Sequence, residues 1–296
     1  MVVLPPLLLA LGLAGAPDAV YLADLEASRM QRAANLTRED GWTALVGLHW
    51  LDAAASTSIG SDPGNDLVVA HAPAVLGRFH LQNGRWLFTP AEGADVVARG
   101  DGTALAGPVA MTTDREAAAA GGSATRLQAG SLHWTLIQRG LGTGLRIWDS
   151  EAPGRVGFKG LNWFAPDPGW RIEAAWVPHD PPRTIEIATV LNTLEPMRNP
   201  GALHFERDGR KYVLEALADE GDAQLFLIFA DRSNRADTYG AGRYLYADVP
   251  ALNGTVLLDF NRAVNPPCAY TPFATCPLPP PENRLDLSIE AGEKRY

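Results

Sequence analysis

The segment LDFNRAVNPPCAYTPFATCPLPPPENRL, residues 258–285, concentrates hydrogen-bonding side chains among prolines and aromatics. It carries Asp259, Asn261, Arg262, Asn265, Asn283 and Arg284, together with the chain's two cysteines, Cys268 and Cys276. Asp231, Tyr239, Arg243 and Tyr244 precede it, and Glu293 follows. A buried carboxylate must be paired or hydrogen-bonded, or it takes up a proton. These residue types therefore have several uses. In one, Arg and Asn satisfy the free carbonyls of a loop whose prolines lack N–H groups, and the cluster is an internal brace. There, loss of Arg262 strands a buried carboxylate at ~3–5 kcal/mol. In another, Arg243, Arg262 or Arg284 grips a small anionic ligand, with Tyr239 and Tyr244 as walls. In a third, Asp231, Asp259 and Glu293 act as acid and base in a hydrolase on a small exported substrate. A structural or partner-binding envelope protein needs none of this chemistry, and no spacing signature selects among the readings.

Other chemistries are less well served. Cys268 and Cys276 are separated by seven residues, a spacing open to a local disulfide in an oxidising compartment. Zinc wants four ligands at recognisable spacing, whereas His49, His71, His80, His133, His179 and His204 are scattered. The chain lacks G-x-S-x-G, P-loop, H-E-x-x-H and C-x-x-C patterns. No metal and no cofactor is expected. The net charge of −9 opposes nucleic-acid binding, which needs a basic surface. Nothing in the sequence sets an oligomeric state.

The opening residues read MVVLPPLLLALGLAGA. The apolar run from Val2 to Leu13 is shorter than the ~20 residues of a membrane span. With Ala14-Gly15-Ala16 after it, the run fits a signal peptide over residues 1–16 and an exported, periplasmic protein.

The elements that must position these residues are mostly strands. A helix is expected within residues 17–40, where Leu22, Leu25, Ala33 and Leu36 lie near one face. In WTALVGLHWL, Trp42, Ala44, Val46, Leu48 and Trp50 alternate onto one side. FHLQNGRWLF predicts a hairpin on Asn83-Gly84 that pairs Phe79 with Phe88 and Leu81 with Trp86. LHFERDGRKYVL predicts another on Asp208-Gly209, with Phe205 opposite Tyr212 and Glu206 opposite Lys211. Further strands are expected at 131–138, 145–149, 171–178, 184–191, 224–231, 243–249 and 255–261. Asp259 and Asn261 would share one face of the last, with Leu258 and Phe260 on the other. The fold class is therefore mainly β, an N-terminal helix followed by two sandwich-like or barrel-like modules. The proline segment PHDPPR divides them, giving modules at 41–180 and 181–296.

Two resemblances add expectations. TSIGSDPGNDLVV resembles a stretch of forkhead-associated domains, which implies a similar hairpin region over about 50 residues. Those domains carry an Arg where Ser61 follows Gly60 here, so phosphopeptide binding is not implied. From residue 20 onward, DGWTALVGLHWL, FKGLNWF, FADRSNRADTYGAGRYL, the 258–285 segment and IEAGEK resemble the domain of unknown function 1684 family. That resemblance implies a bacterial or archaeal protein, often exported, and no activity. Val264 and Tyr270 depart from the Tyr and Phe typical of the family.

Overall fold

The computed structural model describes residues 18–250 and 254–296, so the leader-like residues 1–16 lie outside the described residues. The expected helix forms as α1 (Ala19–Leu36). Its N-cap, Asp18, accepts from the Val20 N–H and so supplies a partner that the first turn lacks. Leu25 and Leu36 are buried, which fixes the helix face that meets the body of the protein. Among the described residues, no helix is long and apolar enough to cross a membrane.

The N-terminal module has two five-stranded sheets. One runs in the order β1 (Leu45–Trp50), β10 (Gly142–Asp149), β9 (Leu132–Arg139), β8 (Arg126–Ala129), β6 (Val97–Ala98). The other runs β3 (Leu67–Val68), β2 (Thr57–Gly60), β4 (Gly77–Gln82), β5 (Arg85–Pro90), β7 (Val109–Met111). Their inner faces share one apolar core, in which Phe79, Phe88 and Trp134 pack with centroids 4.9 and 5.3 Å apart. The Asn83-Gly84 hairpin has its expected register, with φ of 51° and 75° at the turn. The strand expected from Trp42 begins only at Leu45, because Trp42–Ala44 form a 3-10 turn. A bulge between Leu45 and Gly47 then shifts the alternation, so that Leu45 and Gly47 are buried in place of Val46 and Leu48.

The C-terminal module is a four-stranded sheet ordered β13 (Arg210–Ala216), β12 (Leu194–Arg207), β11 (Arg171–Ala188), β16 (Thr255–Asp259). A two-stranded ribbon, β14 (Gln224–Phe229) with β15 (Arg243–Asp248), packs against it. The Asp208-Gly209 hairpin pairs Phe205 with Tyr212 and Glu206 with Lys211, as its sequence predicts. The proline segment expected to divide the modules lies inside β11, where pairing is irregular between Pro178 and Arg183. Prolines lack the ladder N–H, and this interruption is where that loss is tolerated. The two strands expected there are therefore one, and the second module's sheet starts at Arg171 rather than after residue 180. The alternation expected beyond Asp259 also ends, because Phe260–Arg262 form a 3-10 turn. Leu258, Asp259, Phe260 and Asn261 are consequently all buried.

Candidate functional site

The polar residues of the late segments separate into knots, each closed by its own donors. Arg243 and Asp231, with fully buried side chains, form an ion pair at 2.7 Å. Arg243 also donates to the carbonyls of Ile289 and Ala291. Asp231 accepts from the N–H groups of Ser233 and Ile289. Burial pulls the Arg243 guanidinium below its ordinary range, against the pull of Asp231. In a second knot Glu293 accepts from Asn265 through both its backbone N–H (3.2 Å) and its amide (2.8 Å). The α1 residue Arg32 and the Tyr270 hydroxyl supply further donors. Burial pushes Glu293 up to about 7. Asn283 makes a third tie, bonding the Glu215 N–H and carbonyl and the Ile228 carbonyl, and so joins β13 to β14.

These placements decide between uses. Arg243 is fully buried and its neighbours occupy it, so it does not grip a ligand. The hydroxyls of Tyr239 and Tyr244 donate to the carbonyls of Cys268 and Pro277, which is bracing of a proline loop. Arg284 lies exposed on a surface patch with Arg210 and Lys211. Asp231, Asp259 and Glu293 are each held by donors of their own, although Arg243 acts on both Asp231 and Glu293. The expected disulfide is not formed: Cys268 and Cys276 are free thiols. They are hydrogen-bonded neighbours instead, with the Cys276 sulfur 3.1 Å from the Cys268 N–H nitrogen. Among the described residues, no three His, Cys, Asp or Glu side chains gather as a metal site.

Asp259 and Arg262 are different, because they stand at a groove. Arg262 Nε donates to Asp259 at 3.2 Å, and its terminal nitrogen pairs with Asp24 of α1. Asp259 also accepts from Asn261 and, at 3.1 Å, from the hydroxyl of Tyr21 on α1. Arg171 lies across the β11–β16 ladder from Asp259, with Nε 3.8 Å from its carboxylate. The Arg171 guanidinium stacks 4.1 Å from the centroid of the Tyr21 ring. Burial and the Asp259 charge push the Tyr21 phenol up to about 12, so it remains a donor. Arg262 therefore does not hold Asp259 alone, and the ~3–5 kcal/mol expected for its loss does not apply.

The groove beyond this cluster has a volume of about 840 Å³ and runs between α1, β11, β15 and β16. Arg171 and Arg262 mark one end, and Glu173 and Asp248 line the remainder with Tyr246. Arg171 and Glu173 share a strand face, which places them ~7 Å apart along it. Asp248 accepts from Gln224 at 3.1 Å, while Glu173 has no ion-pair partner among the described residues. Five carboxylates and two guanidinium groups line the groove, so an uncompensated anion is disfavoured there. Tyr21, Arg32 and Arg171 were missed by reasoning from the sequence. A signal existed for the helix residues, since Tyr21, Leu25, Arg32 and Leu36 lie on one stripe, with Leu25 and Leu36 buried.

A family model described as "Protein of unknown function (DUF1684)" matches residues 156–294, a span holding the whole C-terminal module. The solution NMR structure of an uncharacterised protein of Haloarcula marismortui is 34% identical, over 47% of this chain and 78% of that one, with a TM-score of 0.40. No curated protein matches the chain.

Proposed function

The chain belongs to the DUF1684 family of proteins of unknown function, and from that premise we propose that it is a binding protein for a small zwitterion. The ligand lies in the groove between α1 and the C-terminal sheet. Its anionic group meets Arg171 and Arg262 beside the Tyr21 ring, and its cationic group meets Glu173 and Asp248. The observation that carries this reading is the spacing along β11, where the partly exposed Arg171, beside Arg262, stands ~7 Å from Glu173, a carboxylate with no ion-pair partner among the described residues. Asp24 is 69% exposed, so a ligand carboxylate can replace it on Arg262 at little cost. The anionic ligand expected from the Arg-rich late segments is thereby narrowed to one carrying a compensating positive charge. We extend the proposal to location: the leader-like residues 1–16 support an exported, periplasmic protein.

Calorimetric titration and thermal shift with a series of ω-amino acids test the proposal, with a dicarboxylate and a diamine of matched length as controls. A zwitterion of one chain length is expected to bind best. Arg171→Ala and Glu173→Gln are each expected to weaken it about tenfold, or ~1.4 kcal/mol. Equal or absent responses to all three ligand types, or binding untouched by both substitutions, would overturn it.

A further inference from the structure

A second chemistry lies in the proline loop, in side chains that the groove does not use. Cys268 and Cys276 are adjacent: the Cys268 N–H donates to the Cys276 sulfur at 3.1 Å, and the two side chains interact. Cys276 is buried at 3% exposure, whereas Cys268 is half-buried and reachable. Tyr239 hydrogen-bonds Cys268, its hydroxyl lying 3.0 Å from the Cys268 carbonyl. Arg146 of β10 approaches from the N-terminal module, 3.5 Å from the Thr275 hydroxyl and within electrostatic reach of Cys276.

Arg146 is the independent sign that an anion belongs here. It is 8% exposed, its Nε has no hydrogen-bond partner, and no carboxylate pairs with it among the described residues. Its guanidinium also lies over the rings of Trp42 and Trp148, at 5.4 and 6.0 Å, with Arg139 and Asp114 acting on it from further off. A buried guanidinium without a counter-ion is costly, so Arg146 favours the anion that Cys276 becomes once it gives up its proton. Among the described residues, Tyr239 and Tyr244 face the pair, Arg146 lies within electrostatic reach of Cys276, and no carboxylate joins them.

We propose that Cys268 is a reactive thiolate that reduces hydroperoxides, with Cys276 as the thiol that resolves the product. The Cys268 sulfur attacks one peroxide oxygen, forming an S–O bond as the O–O bond breaks. The departing oxygen leaves with the electron pair and takes the proton of the Cys276 thiol, giving water or an alcohol. Cys276, now a thiolate next to Arg146, attacks the sulfenic sulfur of Cys268 and expels hydroxide as the S–S bond forms. The dithiol loses two electrons and the hydroperoxide gains them. The sulfurs then close to ~2.05 Å, a movement within a loop that carries no ladder pairing between them. Hydrogen-bond donation by Cys276 also pulls the Cys268 thiol down to about 7 and holds Cys276 itself up, which agrees with this division of roles.

The test uses the full chain with hydrogen peroxide, trapping by dimedone and peptide mass mapping. Wild type is expected to lose two hydrogens as a reducible Cys268–Cys276 disulfide, with little dimedone adduct. Cys276→Ser is expected to stop at the sulfenic acid and give the adduct on Cys268. Cys268→Ser is expected to leave Cys276 oxidised at least about tenfold more slowly than Cys268 in Cys276→Ser. Similar rates for the two single variants, or a Cys268 no faster than free cysteine in either form, would overturn the proposal. Trapping on the folded Cys276→Ser protein keeps the result readable even if the disulfide forms poorly.

Discussion

Replacing Glu293 by Gln is expected to change how stability depends on pH, and the magnitude follows from burial. Glu293 is fully buried, and desolvation moves its carboxyl from the ordinary 4.5 to about 7, against the pull of Arg32 and Asn265. Below pH 4.5 both the folded and the unfolded chain carry the proton, and the group takes nothing from stability. Between 4.5 and about 7 the unfolded chain has released a proton that the folded protein still holds. Stability therefore falls as pH rises through this window, and above pH 7 the loss is complete. At ~1.4 kcal/mol per pH unit, the whole loss is about 3 kcal/mol. Gln has nearly the same shape and does not titrate. Its amide still accepts from Asn265 and Tyr270, while its nitrogen meets the donors of Arg32 and the Asn265 backbone. That mismatch is a fixed offset, so the informative quantity is the difference between the two proteins as pH changes. Urea melts from pH 4.5 to 8 at constant ionic strength give it, since all other groups titrate alike in both. The difference is expected to move about 3 kcal/mol in favour of the Gln protein across this range. Parallel curves, differing by less than ~1 kcal/mol in their pH dependence, would show that the four donors hold Glu293 ionised and that the burial argument is wrong.

Arg243→Met is expected to cost ~3–5 kcal/mol in urea melts, because it leaves Asp231 buried with two backbone donors and strands the Ile289 and Ala291 carbonyls. Arg262→Ala, by contrast, is expected to cost no more than ~2 kcal/mol, since Tyr21, Asn261 and Arg171 remain around Asp259. Equal losses would refute the distinction. Gly242→Ala is expected to lose ~3 kcal/mol or more of stability by the same assay: φ is 98°, and a Cβ would sit 2.5 Å from Pro279 Cγ and 2.6 Å from the Phe229 carbonyl oxygen.

The hairpins at Asn83-Gly84 and Asp208-Gly209 were legible because their register is set by two residues with positive φ, a wholly local instruction. The helix was legible for the same reason, its apolar spacing ending in a polar run. The Trp42 segment and the proline segment were misread because tertiary pairing decided them. A bulge inverted the faces of the first, and β12, pairing with β11 before and after the second, carried the strand through it. The groove was half legible. Asp259 and Arg262 are three residues apart and announce themselves as a pair. Tyr21 lies 238 residues from Asp259, and Arg171 meets it only through strand register, which no local pattern encodes.

The residue types that make a brace and those that make a site are the same here, so composition could not separate them. What separates them is the count of partners. Arg243 has one carboxylate and two carbonyls on its terminal nitrogens and sits at zero exposure, so no ligand reaches it although its Nε has no hydrogen-bond partner. Arg171 has one long contact to a carboxylate that four other donors already serve, and it presents its guanidinium to an open groove. A guanidinium surplus to the needs of its carboxylate neighbour and open to a groove is free to hold a second anion, whereas one sealed against a carboxylate and backbone carbonyls only fixes the loop. By that measure Arg171 is the better test of function, although the late polar segments drew attention first to Arg243. Its position at the start of β11 means that the same ladder which aligns the sheet also sets the spacing from Arg171 to Glu173. The size of ligand that the groove selects is thus fixed by strand geometry rather than by loop conformation.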